Sequence, residues 1–420
     1  IFDDEQNIVD SISQLVNKDI EKNKNIDKYI KMSEEEKEIS YNQKQKEAIK
    51  KALENNILII TGGPGTGKTT IIETIVEIYK EIKDLTYDDL IDKIALLAPT
   101  GRASKRMSEA TNLPATTIHR FLKWNKENNE FMVNETNKDF SELVIIDEVS
   151  MIDINLFSSL FKGITTNAKL ILVGDYNQLP SVGAGNILKD LIDCQKIDTI
   201  YLDLLYRQDE NSYINNLAHD IKNGNLSEEF LKTKNDYAFL NCSSDSILET
   251  LKTTCQRLVE KDIDQKRIQL MAPMYAGING IDNLNKELQK IFNPEDHNKN
   301  EIRYGDIVFR ENDKILQLVN MPDDNVFNGD VGYIKYIIKA ANSKSKKNEI
   351  YVDYDGNVVK YLPKDFNKIK HGFIISIHKS QGSEFDLVII PICMSYYRML
   401  YRKLIYTAIT RAKKKLIIIG

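Results

Sequence analysis

The chain has 420 residues, enough for two or three domains, with the 42% hydrophobic and 28% charged composition of an ordinary globular protein. Its net charge of −5 excludes binding to nucleic acid through overall basicity, so such a partner would need a local basic groove. Cys194, Cys242, Cys255 and Cys393 lie far apart without a C-x-x-C pair, which argues against a zinc site and for a reduced, cytoplasmic protein. No apolar run approaches the length of a membrane span, and no membrane partner is expected.

Residues 1–40 are polar with a helical period. Ile8, Ile12 and Leu15 recur at helix spacing, and Ser33 with Glu36 fits a capping box. The run Glu34-Glu35-Glu36-Lys37-Glu38 reads as a solvated face. Because the chain opens on Ile1 rather than Met, this segment reads as the helical tail of a missing N-terminal domain, through which protein partners would bind. A second helix begins near Asn42 and carries Gln45, whose amide suits both edges of an adenine. Taken alone, a solvent-facing glutamine is the default.

An apolar run, Ile57-Leu58-Ile59-Ile60, then enters Thr61-Gly62-Gly63-Pro64-Gly65-Thr66-Gly67-Lys68-Thr69-Thr70, and Ile71-Ile72-Glu73-Thr74-Ile75-Val76 follows. That is a buried strand, a glycine-rich turn and an amphipathic helix. Gly62, Gly67, Lys68 and Thr69 meet the phosphate-loop pattern G-x-x-x-x-G-K-[ST]. Glycines let backbone N–H groups point inward, and the helix N-terminus adds positive partial charge where phosphates sit. Lys68 suits the β- and γ-phosphates, and the Thr69 hydroxyl suits Mg²⁺. The loop therefore points to a nucleoside triphosphate as the ligand.

Ile94-Ala95-Leu96-Leu97-Ala98 is a further buried strand, ending in Pro99-Thr100-Gly101-Arg102-Ala103-Ser104-Lys105-Arg106. Small hydroxyls, a glycine and three cations at a strand's C-terminal end suit phosphate contact, including a nucleic-acid backbone; a helix start with exposed cations fits as well. Next come His119 and Arg120, where a structural histidine is the competing reading. Residues 123–140 read as a small inserted hairpin turning at Asn128-Asn129. Leu143-Val144-Ile145-Ile146 leads to Asp147 and Glu148, an acidic pair at a strand end. Asp147 suits the Mg²⁺ shell, and Glu148 suits a residue that orients or deprotonates the attacking water. The strand starting at Lys169 ends near Gln178, which suits a γ-phosphate sensor or a plain loop amide.

Residues 210–265 are mostly helical in period. Ile268-Gln269-Leu270-Met271-Ala272 restarts the strand pattern. From 303 to 370, period-2 runs alternate with turns at Asn328-Gly329-Asp330 and Asp355-Gly356-Asn357, which predicts a small β-barrel inserted in an α/β lobe. The α/β pattern returns with His378-Lys379-Ser380-Gln381-Gly382-Ser383-Glu384. The chain closes on a helix and a strand, with Arg411 near the end of the helix.

Together these segments resemble a superfamily 1 DNA helicase of the RecD-like branch, the exodeoxyribonuclease V alpha-subunit type. Residues 62–70 resemble motif I, 98–106 motif Ia, 117–121 motif Ib and 147–151 motif II. Residues 174–180 resemble motif III, Tyr206-Arg207-Gln208 motif IV, 378–384 motif V and 406–412 motif VI. The resemblance implies an α/β fold: two RecA-like P-loop lobes, a small β-hairpin insertion in lobe 1 and a small β-barrel insertion in lobe 2. Lobe 1 would span 41–203, and lobe 2 would span 204–302 and 371–420 around the barrel at 303–370.

The resemblance also implies that Gln45 contacts adenine, Gln178 couples nucleotide state to DNA, and Arg207 and Arg411 reach the γ-phosphate. Gly382 and Glu384 would lie by the nucleotide, while Thr100, Arg102, His119, Arg120, His378 and Ser380 would line the nucleic-acid path. The implied activity is an ATP-dependent, Mg²⁺-dependent DNA helicase or translocase on single-stranded DNA and duplex/single-strand junctions. It would run 5′→3′, in DNA repair or recombination. An RNA-directed superfamily 1 helicase and an ATP-gated nucleic-acid clamp are the alternatives.

Overall fold

The computed structural model describes residues 1–19, 25–125, 127–202 and 212–420. Its contacts divide the chain into two units, Ile1–Glu210 and Asn211–Gly420.

The first unit opens with α1 (Phe2–Val16), α2 (Ile26–Glu36), α3 (Gln43–Glu54), β1 (Ile57–Gly62), α4 (Lys68–Lys83) and α5 (Tyr87–Lys93). It continues through β2 (Ile94–Ala98), α6 (Gly101–Thr111), β3 (Ala115–Thr117), α7 (Ile118–Phe121), β4 (Trp124–Asn125) and β5 (Glu130–Phe131). β6 (Leu143–Ile146), α8 (Ile154–Gly163), β7 (Lys169–Gly174), α9 (Ile187–Asp193) and β8 (Thr199–Leu202) complete it. Six strands form one sheet in the order β3-β2-β6-β7-β1-β8, parallel throughout. Continuous apolar runs such as Leu143–Ile146 suit strands covered on both faces. Alternation then sorts the side chains: Ile57 and Ile59 enter one core, Leu58 and Ile60 the other. β4 and β5 pair antiparallel as the small hairpin.

The two N-terminal helices α1 and α2 pack into these cores. Ile8, Ile12 and Leu15 of α1 pack with Phe157 and Phe161, while Ile26 and Ile30 of α2 join the opposite core. Ser33 is not a helix cap. It lies buried in the last turn of α2, its hydroxyl 3.3 Å from that of Tyr41, which in turn lies 2.6 Å from Thr74 Oγ1. The capping boxes are Asn42 with Gln45 and Thr86 with Asp89. The expected solvated acidic run is partly docked: Glu34 accepts from Tyr41 N at 2.7 Å and pairs with Lys46 at 2.9 Å, and Lys37 bridges Glu73 and Glu77.

The second unit begins with α10 (Tyr213–Asn223), β9 (Tyr237–Leu240), α11 (Ile247–Glu260), β10 (Ile268–Ala272) and α12 (Ile281–Phe292). Then come β11 (Glu301–Tyr304), β12 (Ile307–Arg310), β13 (Lys314–Gln317), β14 (Val331–Ile338), β15 (Glu349–Tyr354), β16 (Asn357–Tyr361) and β17 (Ile369–His371). β18 (Ile374–Ser376), β19 (Phe385–Pro391), α13 (Arg402–Ile409) and β20 (Ala412–Ile419) end the chain. A parallel sheet runs β18-β10-β19-β20-β9. β9 lies in the stretch expected to be mostly helical. It is an edge strand of four residues with no clean alternation, and its register against β20 comes from pairing rather than from local pattern.

Between α12 and β18 the chain is antiparallel. β11 and β12 form a hairpin, and a five-stranded sheet runs β16-β15-β14-β13-β17. A buried polar knot anchors this insertion. Asp313 accepts from Gln289 Nε2 and Arg310 N at 2.7 Å, from Asn293 Nδ2 at 2.8 Å, and meets His371 Nε2 at 3.2 Å. These partners come from α12, the turn leaving it, β12 and β17, so one carboxylate ties the exit and return of the inserted chain. Among the described residues no helix is long and apolar enough to cross a membrane.

Candidate functional site

The phosphate loop leaves the C-terminal end of β1 and closes on the N-terminus of α4, a helix of 16 residues. Such a terminus presents N–H groups without intrahelical partners. Gly65 and Gly67 hold φ of +76° and +84°, a region where a side chain is strained. Gly67 is also close-packed, since a Cβ there would lie 2.5 Å from Gln45 Nε2. Lys68 Nζ donates to the carbonyls of Gly62 and Gly63 at 2.7 and 2.8 Å, so the ammonium sits over the loop itself. Thr66 Oγ1 donates to Gly63 O at 2.8 Å and stiffens the same turn. Pro64 completes the turn, and Thr69 and Thr70 occupy the first turn of α4.

Gln45 is buried rather than solvent-facing. Its Oε1 accepts from Asn42 N at 3.1 Å and its Nε2 donates to Thr66 O at 3.2 Å, so the α3 cap and the phosphate loop are joined through one amide.

Asp147 and Glu148 follow β6, two strands from β1 in the sheet order. The backbone N–H of Glu148 donates to Asp147 Oδ1 at 2.8 Å. Burial, then the adjacent Glu148 charge, pushes the Asp147 carboxyl up to about 6, against the pull of the Lys68 ammonium. A site that raises a carboxyl in this way accommodates a divalent cation, whose charge would stabilise the ionised form. Among the described residues no cluster of three or more His, Cys, Asp or Glu could hold a metal by itself. A magnesium ion at this place would therefore draw on Thr69, Asp147 and phosphate oxygens, the usual pattern for that ion.

Glu148 is buried and has φ +53°, while Arg106 Nη2 of α6 lies 3.5 Å from its Oε1. After β7, Gln178 is 3% exposed; its Nε2 donates to Asp175 Oδ2 at 3.3 Å, and its Oε1 is buried without a partner among the described residues. Most buried side-chain acceptors in folded proteins have a partner.

The nucleic-acid candidates of the first unit sit at short helix starts. Thr100 caps α6 by accepting from Ala103 N, Arg102 lies in the first turn, and Thr117 caps α7, which carries His119 and Arg120. The His119 ring lies 5.9 Å from that of Phe131. Partial desolvation disfavours its imidazolium, opposed by Asp153. With Trp124 and Phe131, His119 lines an open groove of about 700 Å³.

In the second unit, His378 is half-buried, and desolvation holds its imidazolium below the usual range. Ser380 is fully buried, its hydroxyl donating to Ile377 O at 2.7 Å, a structural bond. Lys379, which sequence reasoning passed over, reaches Asn328 Oδ1 at 2.6 Å and joins this segment to the Asn328-Gly329-Asp330 turn. Gly382 has φ +71°, and Glu384 pairs with Lys413 at 3.5 Å. Arg411 directly follows the Thr410 cap of α13, near the end of the helix as expected, and is 2% exposed. Its guanidinium donates to Thr407 O, Ser383 O and Thr410 Oγ1. Arg207, with Tyr206 and Gln208, lies outside the described residues.

Residues 45–184 match the profile of the AAA domain, and residues 371–419 that of the UvrD-like helicase C-terminal domain. Residues 284–354, which include most of the inserted strands, match the ATP-dependent RecD-like DNA helicase SH3 domain. The chain thus carries RecD-like helicase domains and is similar to the RecD-like superfamily 1 helicases. It is 32% identical over 361 residues to the ATP-dependent RecD2 DNA helicase of Deinococcus radiodurans, covering 86% of this chain and 46% of that protein. It thus spans about half the length of that relative. It is 27% identical over 454 residues to the RecBCD enzyme subunit RecD of Buchnera aphidicola subsp. Schizaphis graminum, covering 89% of this chain and 71% of that one. In fold, the Pif1 helicase from Candida albicans matches with a TM-score of 0.55 at 17% identity, over 91% of this chain and 94% of that one.

Within this RecD-like chain, the first unit brings Gln45, the phosphate loop and Lys68 into one cluster. Lys68 is also close enough to Asp147 for its charge to act there. Arg106 was visible in the sequence only as one of three cations after β2. No local signal tells which of the three turns toward Glu148.

Proposed function

We propose that this chain is the motor portion of an ATP-dependent DNA helicase or translocase. It moves on single-stranded DNA, engages duplex/single-strand junctions, and serves DNA repair or recombination in the cytoplasm. The observation that carries this reading is the Lys68 ammonium. It is held over the phosphate loop at the head of α4, and its charge reaches Asp147 beside the buried Glu148.

Lys68 and the α4 N–H groups bind the phosphates in this reading, exchanging the Gly62 and Gly63 carbonyls for phosphate oxygens. Gln45 reads adenine. Thr69 and Asp147 hold magnesium, which when bound supplies charge neutralisation at the phosphates. Glu148 orients and deprotonates the attacking water. Gln178 carries nucleotide state toward the DNA. Thr100, Arg102, His119, Arg120, His378 and Ser380 are assigned to the DNA path. Arg207, Arg411, Gly382 and Glu384 are assigned to the nucleotide by resemblance alone, as are the 5′→3′ direction and the division into lobes and insertions. The buried Ser380 hydroxyl supports a shaping role in that path rather than a direct bond.

Steady-state ATP hydrolysis with and without single-stranded DNA tests the reading, with Arg411→Ala beside it. Strong stimulation by DNA over RNA, lost in that variant, supports a DNA-coupled motor. The loss is expected at roughly 10³-fold, the scale of a transition-state arginine. A folded protein that binds ATP and DNA yet hydrolyses no faster with DNA overturns the motor and leaves a clamp.

A further inference from the structure

Glu148 is held in a way that its role as a base does not require. Its φ of +53° is a region that a glutamate seldom occupies. The chain turns there from β6 into the short 3₁₀ turn Val149–Met151. The carboxylate is contacted from α6, where Arg106 Nη2 lies 3.5 Å from Oε1. The contact is single and long, and Arg106 Nε is buried without a partner among the described residues. The paired, bidentate bond that arginine favours with a carboxylate is therefore not made.

A guanidinium on Oε1 occupies a lone pair that would otherwise accept a proton from water. A carboxylate oxygen engaged in this way is less available to the attacking water. Arg106 stands four residues after Arg102, one turn along the same face of α6, whose N-terminus Thr100 caps. One helix thus joins the assigned DNA contacts to the assigned base.

We infer that Arg106 is a positioning residue that restrains Glu148, and that single-stranded DNA bound at the start of α6 releases the restraint. The inference rests on the proposed roles of Glu148 and α6. A contact so incompletely bonded is given up at little cost, as a restraint relieved in every cycle must be.

The test is ATP turnover of the full chain with Arg106→Ala, Arg106→Gln and Arg106→Lys, without DNA and with a saturating oligothymidylate. Glu148→Gln serves as the control for chemistry. Arg106→Ala and Arg106→Gln are expected to raise the DNA-free kcat about five-fold, the scale of one partly exposed ion pair. The KM for ATP and the DNA-stimulated kcat should stay within about two-fold, so the stimulation ratio falls while thermal unfolding is unchanged. Arg106→Lys should return the DNA-free rate most of the way to wild type. Arg106→Gln keeps the side-chain bulk if the alanine variant does not fold. A DNA-free kcat unchanged or lowered in the folded glutamine variant overturns the inference alone, provided wild type is stimulated and Glu148→Gln is inactive. Wild-type turnover that DNA does not stimulate overturns the proposed function and the inference with it.

Discussion

Two carboxylates, one in each unit, are treated in opposite ways. Asp313 is fully buried and surrounded by donors from Gln289, Asn293, the Arg310 backbone and His371. Asp147 accepts from the Glu148 backbone and lies against a second acid, and its carboxyl is pushed up to about 6. The first is satisfied and ties an inserted sheet to its support. The second keeps charge at neutral pH that a bound cation would relieve. A polar network closed on itself specifies structure, whereas one left open is where a ligand is to bind.

The contrast is broken most sharply at the open site. Lys68→Ala and Glu148→Gln should each lower ATP turnover by about 100-fold or more, the range seen when a charge-stabilising donor or general base is removed. Glu148→Gln should still bind a fluorescent ATP analogue. Wild-type turnover in either variant would remove that residue from the chemistry.

At the closed site the effect should be on stability instead. Asp313→Ala leaves several buried donors unpaired and is expected to cost about 3 kcal/mol, read by thermal or urea unfolding, with nucleotide binding by the phosphate loop retained. Unchanged unfolding would mean that the knot is not an anchor.

Asp147 should show the reverse sign. A carboxyl raised in the folded state imposes no penalty below its ordinary value of 3.8 and its full penalty above about pH 6. In protein kept free of divalent cations, Asp147→Asn should therefore raise the unfolding midpoint at pH 8, with the gain shrinking as pH falls and absent near pH 3.5. Equal stability at both pH values would show that burial of the charge is already compensated.

Gly67→Ala combines a left-handed backbone with a 2.5 Å approach to Gln45 Nε2. It is expected to weaken nucleotide binding about ten-fold, from strain of roughly 1–2 kcal/mol in αL. The smallest effect belongs to Tyr41→Phe. It removes the buried 2.6 Å bond to Thr74 and should lower stability by about 1 kcal/mol, with turnover unchanged.

The strand-turn-helix form of the phosphate loop was legible because it is local. Glycine positions, Lys68 and the apolar runs on either side are consecutive in sequence, and strand, turn and helix form from neighbours. The acids after β6 were legible for the same reason, as was the β4–β5 hairpin. What the residues do to one another was less so. Ser33 with Glu36 has the spacing of a capping box, yet α2 has already run its length there, because Ile26 and Ile30 find a core that no local rule predicts. β9 escaped notice because an edge strand is specified by its partner β20.

The amino-acid sequence by itself determined the alternation of strands and helices outside β9, the phosphate loop, the acidic pair and the resemblance to RecD-like helicases, since each rests on residue types at short, fixed spacing. Only the tertiary structure decided that Gln45 links the α3 cap to the loop, that Ser380 and Arg411 are buried, and that Arg106 rather than Lys105 meets Glu148. The reason is physical. Burial and charge pairing depend on segments far apart in the chain, and a side chain's role is set by which of them packs against it.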